Sequence, residues 1–430
     1  MNDRRSFLKQ AGLLTASLSL GTGLNAHITK ASAAPAADKW SQFRRLFSID
    51  ERYIHLANFL IAPHPLPVKE AIEAYRAELD ANPGLMMDYD RQTTWKNEHN
   101  VRSWAARYLE VEPGQIALTG STTQGLALVY GGIHITPGQE ILTGTHEHSS
   151  SYAALEFRNQ SDGTPVRHIS LFQDPHQVSV DEVLGNLQRN LRPNTRVIGM
   201  TWVHSGSGVK LPIKEIGQWI REQNKKRDKK EHILFCVDGV HGFGVEDVRF
   251  ADLNCDFLIA GTHKWLFGPR GTGIICAASE ELNNISPTQA TFSPHTNFGT
   301  IMSPGGYHAF EHRWALAKAF ELHLQLGKND IQQRIHALNS YCKQRLQELT
   351  NVELVTPLSP ELSAGFTFFR IAGQGDQEGV GAYLIENRVI ADAVDRDAGP
   401  VLRLAPGLLN NEAEIDKVIE LLSQRFTASI

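Results

Sequence analysis

The sequence predicts an α/β protein: a large domain with a mainly parallel seven-stranded sheet between helices, followed by a smaller α+β C-terminal domain. Three observations carry this. Between about residues 70 and 280, short apolar runs alternate with helical patterns, the rhythm of strand–crossover–strand units in a sheet covered on both faces. Each run ends in Gly, Ser, Thr, His or Asp, so polar groups gather beyond the carboxyl ends of the strands, where such sheets bind ligands. From about residue 307 the period becomes helical over a long stretch and then returns to short strand patterns.

The strand runs, in order, are "QIALTG" (115–120), "EILTGT" (140–145), "VRHISL" (166–171), "RVIGMTWV" (196–203), "ILFCVDG" (233–239), "FLIAGT" (257–262) and "GTGIICA" (271–277). The stretch from "YHAFEHRW" to "CKQRLQEL" predicts long amphipathic helix, "AGFTFFRI" and "VLRLAP" predict two strands, and "NEAEIDKVIELLSQRF" predicts a closing helix. The charge run "REQNKKRDKKEH" (221–232) reads as a solvated helix end and its loop. The expected organisation is a signal over 1–33, an N-terminal segment over 34–69, the large domain over 70–300 and the small domain over 301–430.

The expected signal has a basic start at Arg4-Arg5, an apolar stretch from Ala11 to Leu24 and Ala-Ser-Ala at 31–33, the three parts of a secretory leader. Its apolar stretch is too short to span a bilayer. "RRSFLK" resembles the twin-arginine signal, which implies the twin-arginine export machinery as a partner and a periplasmic destination for a protein exported folded.

Composition limits the function classes. The chain is 41% hydrophobic and 21% charged, as in ordinary globular proteins of two or three domains. Its net charge is −5, with +3 in residues 1–33 and hence −8 in the remainder. Nucleic-acid binding wants a basic face, so no nucleic-acid partner is expected. The 18 histidines include no HExxH or similar pair, and no metal is expected. Cys236, Cys255, Cys276 and Cys342 match no zinc or redox spacing and are read as buried free thiols.

The chemistry concentrates at the strand ends. Asp238 closes "ILFCVD" and Lys264 follows "FLIAGTH" 26 residues later, about one strand–crossover–strand unit. A carboxylate and an amine at one sheet edge can form a structural ion pair, an acid/base pair, or the two fixed ends of pyridoxal phosphate. In the last case the lysine bonds the aldehyde and the aspartate holds the pyridine nitrogen protonated. "TGSTTQGLALVYGG" (119–132) offers a helix N-terminus with hydroxyls for a phosphate, a pattern that plain helix caps share. His148, in "GTHEHSSS", stands at another strand end, where an imidazole could stack on a pyridine ring.

"VDGVHGFG" together with "GTHKWLFGPRGTG" resembles the aspartate and lysine motifs of class V aminotransferases, the fold-type-I pyridoxal-phosphate family that includes cysteine desulfurases and isopenicillin epimerases. The likeness runs from "YIHLANFLIAPHPLPVKEAI" to "LRLAPGLLNNEAEIDKVIELL". It implies that Lys264 bonds the cofactor and Asp238 faces the pyridine nitrogen. It further implies His241 at the phenolic oxygen, His148 stacked on the ring, and Thr122, Thr123 and His263 on the phosphate. Arg403 matches the arginine that holds a substrate α-carboxylate, in two parallel hydrogen bonds if bidentate. "PGGYHAFEHRW" (304–314) lies where the family reaches the neighbouring subunit's phosphate, implying a homodimer with sites at the interface.

The departures narrow the reaction. No cysteine precedes Arg403 at the desulfurase nucleophile position, so desulfuration is not expected. Tyr307 replaces the family threonine, Ser205 stands at a substrate-binding position where desulfurases have asparagine, and "LAPGLLNN" lacks the usual histidine. With the export signal, the "GGYHAFEHRW" variant resembles the periplasmic pyoverdine-maturation enzymes of fluorescent pseudomonads. That implies a siderophore peptide substrate whose chromophore-attached glutamate is converted to succinamide by oxidative decarboxylation. The alternatives are transamination of the same glutamate to 2-oxoglutarate, or a non-catalytic periplasmic ligand-binding protein.

Overall fold

A computed structural model describes residues 38–426 except 89–92, 293–295 and 376. The expected export signal lies outside the described residues. All seven predicted runs form strands of one sheet: β1 (Ile116–Thr119), β2 (Glu140–Gly144), β3 (Val166–Ile169), β4 (Thr195–Thr201), β5 (Leu234–Asp238), β6 (Phe257–Gly261) and β7 (Gly273–Ala277). Their spatial order is β1-β7-β6-β5-β4-β2-β3. Six strands run parallel, and β7 alone runs antiparallel between β1 and β6. Six of the seven, β3 excepted, are buried at every position, which is why they read as continuous apolar runs rather than alternating ones.

The covering helices start where the sequence supplies caps. In α3 (Thr122–Gly132), the Ser121 hydroxyl accepts from the Gln124 N–H at 3.1 Å. In α4 (Ser149–Asp162), the His148 imidazole caps the first turn, and Gly163 closes the last at φ +76°. Earlier in the chain, α1 (Leu66–Ala81) and α2 (Thr93–Leu109) form the layer against which the helix over Phe310–Leu326 packs; α5 (Val180–Asn190) and α6 (Ile213–Asn224) complete the crossovers.

The long helical stretch divides at Gly327, whose φ of +84° ends α7 (Phe310–Leu326) before α8 (Lys328–Gln347) begins. A left-handed residue suits glycine and interrupts a helix. The second half packs on α10 (Glu412–Phe426) and on the small antiparallel sheet, whose order is β10-β11-β9-β8. Here β8 is Val352–Leu354, β9 Thr367–Ile371, β10 Asp392–Arg396 and β11 Gly399–Leu404, with α9 (Gln377–Glu386) between β9 and β10. The strand at Asp392–Arg396 lies outside the runs that the sequence predicts as strands.

A buried charge cluster ties α7 to α2. Glu98 meets Arg102 and Arg313, each at 3.1 Å, and all three side chains are buried. Removing one partner of a buried pair strands the others, at a cost of about 3–5 kcal/mol. Glu98→Ala is therefore expected to lower stability by about that amount in urea unfolding; a change below about 1 kcal/mol would mean that water reaches the two arginines.

Candidate active site

The carboxyl ends of β1, β2, β4, β5 and β6 converge on a cavity of about 220 Å³. Asp238 ends β5 and lies across from Thr201 of β4. Lys264 follows β6 by three residues, and the turn beyond it places Trp265 against the Phe366 ring at 5.6 Å. The N-terminus of α3 supplies Ser121, Thr122 and Thr123; the β2–α4 turn supplies His148; the loop after β4 supplies Ser205. His241 and His263 complete the lining. Of the sequence-predicted residues, the cavity gathers Lys264, Asp238, His148, His241, Thr122, Thr123, His263 and Ser205. Arg403 sits behind Ser205, donating from Nη1 to the Ser205 carbonyl at 2.9 Å.

Burial sets the charge states. It pushes the Lys264 amine down to about 8, against the opposing pull of Asp238. It pushes the Asp238 carboxyl up to about 6, because a carboxylate without a close cation is penalised in a dry site. Burial also keeps the imidazoles neutral: His148 is lowered to about 4, and His241 and His263 are lowered too.

Hydrogen bonds then fix two tautomers. Nδ1 of His148 accepts from the Ser150 N–H at 3.1 Å, leaving the proton on Nε2. The Trp265 indole N–H donates to His241 Nδ1 at 3.3 Å, so the His241 proton also sits on Nε2, which is 3.3 Å from Lys264 Nζ. An N–H aimed at that amine favours its neutral form. Trp265 keeps this position because residue 365 is glycine; a Cβ there would stand 2.5 Å from the indole ring.

These residues suit pyridoxal phosphate. Buried Asp238 accepts from the Val240 N–H at 3.2 Å and feels Lys264 only through its charge, so a protonated pyridine nitrogen would supply its carboxylate with a direct cationic partner. His263 Nδ1 is buried without a hydrogen-bond partner, and the α3 N-terminus favours a phosphate dianion. Thr122 Oγ1 already accepts from the Gly261 N–H at 2.8 Å, which leaves its own proton to donate. With the Lys264 amine lowered to about 8, the cofactor-free protein should bind pyridoxal phosphate at a rate that rises with pH through about 8 and then levels. A stopped-flow absorbance series across that range checks this, and a midpoint near the ordinary lysine value of 10.5 would contradict it.

Several neighbours escaped the sequence reading. Arg396 of β10 donates to the Ser205 hydroxyl, and Asp392 of the same strand pairs with Arg403. Glu147 is buried beside Asp238, hydrogen-bonded to the Thr201 hydroxyl, and pushed up to about 8 by burial. Tyr307, in the segment expected to reach a partner, is 79% exposed. The four cysteines are buried free thiols.

Comparison with known proteins places these features in context. The family described as Aminotransferase class-V matches residues 61–404. Isopenicillin N epimerase of Amycolatopsis lactamdurans is 26% identical over 406 residues, covering 90% of this chain and 99% of that one. Cysteine desulfurase of Pectobacterium atrosepticum is 25% identical over 346 residues, covering 77% and 80%. Among solved structures, the cystine C–S lyase C-DES in complex with cysteine persulfide superposes with a TM-score of 0.78 at 22% identity, covering 90% of this chain and all of that chain.

Proposed function

This chain belongs to the class V aminotransferase family, and from that premise we propose that it is a periplasmic pyridoxal-phosphate enzyme of siderophore (pyoverdine) maturation. Its substrate is the glutamate attached through its side chain to the siderophore chromophore, converted to succinamide by oxidative decarboxylation. One O2 is consumed per turnover: the α-carboxyl leaves as CO2, one oxygen atom enters the new amide, and the other leaves as water. Bound pyridoxal phosphate supplies an electron sink for charge developing at the substrate α-carbon.

The protein's own groups do the rest. Thr122, Thr123 and His263 would hold the phosphate at the α3 N-terminus. Asp238 would hold a proton on the pyridine nitrogen, and the neutral His148 imidazole would offer its ring to the bound group. His241 presents Nε2–H toward the Lys264 amine at 3.3 Å and would be placed to donate to the cofactor's phenolic oxygen. Lys264 would anchor the group, and its amine, lowered to about 8 by burial, could hold a proton for the substrate α-carbon. A glutamate held through its side chain keeps a free α-amine for the cofactor and a free α-carboxylate for the cationic wall formed by Arg396, Arg403 and Ser205.

The observation that carries the reading is that Lys264 and buried Asp238 line one cavity together with Ser205, which Arg396 and Arg403 both contact. Arg4-Arg5 supports twin-arginine export. Tyr307, highly exposed beside Gly305-Gly306, supports a homodimer that covers it. Mass spectrometry of siderophores from a strain lacking the gene tests the substrate. Persistent glutamate at the chromophore is expected, and unchanged succinamide would end the assignment. With purified enzyme, a product that keeps all its carbons would favour transamination instead.

A further inference from the structure

We propose that Phe43 and Phe47, in the N-terminal segment, are positioning residues for Lys264: their rings clamp Phe267 and hold the turn that carries the lysine in a conformation it would not keep alone. This rests on Lys264 being the lysine that bonds the cofactor.

The turn departs from ordinary backbone at one place. After β6 it closes on itself, with the Phe267 N–H donating to the Lys264 carbonyl at 3.0 Å and the Gly268 N–H to the Thr262 carbonyl at 2.8 Å. Phe267 takes a φ of +57° there, a left-handed conformation that a Cβ disfavours and that bulky residues rarely adopt. Among the described residues three other non-glycines have positive φ, namely Glu110, Asn254 and Arg388. Each follows the end of a helix, where a left-handed residue is an ordinary terminator. Phe267 follows none. Strain of this kind lasts only where the surroundings enforce it, and it gathers at functional sites.

The enforcement comes from the N-terminal segment. The Phe267 ring meets Phe43 at 5.6 Å and Phe47 at 5.1 Å, and those two rings meet each other at 5.0 Å, all edge-to-face. All three side chains are buried. One such contact is of the same order as the cost of one left-handed residue, so two contacts and the buried ring together offset it. The segment is itself tied down. In the short helix Lys39–Arg44, Lys39 pairs with Asp330 of α8, and Arg44 pairs with Glu414 of α10 at 2.6 Å. The Leu46 carbonyl accepts from the Leu66 N–H at the start of α1 at 2.7 Å. Further along, the Ala62 N–H donates to the His263 carbonyl at 2.9 Å, so the chain also grips the residue before Lys264.

The clamp keeps the amine dry. Lys264 Nζ lies 3.3 Å from His241, the charges facing it are Asp238, Arg403 and Arg396, and His148 and His263 feel its charge. Burial outweighs all of these in lowering the amine. A turn that relaxes admits water, and the amine regains its proton.

The test uses the full chain and two readouts: the pH midpoint of pyridoxal-phosphate binding after the cofactor is removed, and amide hydrogen exchange over residues 262–268 in the holoenzyme. Phe47→Leu keeps most of the volume and loses the ring. Its midpoint should rise by about one pH unit above the wild-type value near 8, so that binding at pH 7 slows about tenfold. Exchange over residues 262–268 should quicken about tenfold. Phe47→Tyr, which keeps the ring, should retain the wild-type midpoint. Phe298→Leu, which alters a buried ring in a separate core cluster, should lower Tm and leave both readouts at wild type. Should Phe47→Leu fail to fold, Phe267→Gly serves in its place. Glycine accepts the left-handed turn without strain but offers no ring to clamp, and the same rise and quickened exchange are expected. A Phe47→Leu or Phe267→Gly protein that loses Tm as Phe298→Leu does, yet keeps the wild-type midpoint and exchange, would overturn the proposal. A wild type that binds no pyridoxal phosphate would overturn the cofactor reading with it.

Discussion

Lys264→Ala is expected to purify folded but to turn over substrate at least about 10³-fold more slowly, since it loses both the covalent anchor and the general base. Its visible absorbance should move to that of free or non-covalently held cofactor, and added amines should no longer shift it. The change is confined to one half-buried side chain at a strand end, so Tm should move little once cofactor is present. A variant with wild-type colour and turnover would remove Lys264 from the chemistry.

Asp238→Asn should cost roughly 10²–10⁴-fold in turnover. A buried cation that loses its carboxylate partner costs about 3–5 kcal/mol, and each 1.36 kcal/mol is a factor of ten. The cofactor-free protein gives an independent readout. Burial holds the Asp238 carboxyl at about 6, above its unfolded value of about 3.9. The folded state therefore binds this proton more tightly than the unfolded state does. That contribution to stability is complete below about pH 4, is lost as pH rises toward 6, and stays lost above it. Urea titrations should show this decline in the wild-type apoprotein and not in Asp238→Asn.

Much of the architecture was legible because it rests on local rules. Strands buried on both faces must be apolar throughout, and their polar ends must face the ligand, so the seven runs and the Lys264–Asp238 pair stand out. Features set by long-range pairing were not legible. The strand at Asp392–Arg396 is short and polar, and only its register with β11 brings Asp392 to Arg403. An "ADAVDRDAGPVLRL" hairpin signal, with Gly399 at its turn and φ of +75°, could have found it. The antiparallel course of β7 depends on a return from β6 within eleven residues, too few for a crossover helix. That shortness was a usable signal. Trp265 next to Lys264 read as part of an apolar flank; its indole N–H and its bond to His241 appear only when β6 and the β5 turn are side by side.

The account stands most directly on where the cofactor is held. Holoenzyme reduced with borohydride, digested and analysed by tandem mass spectrometry should carry the phosphopyridoxyl group on Lys264 and on no other lysine. Label on a different lysine, or a protein that retains no pyridoxal phosphate at all, would contradict it.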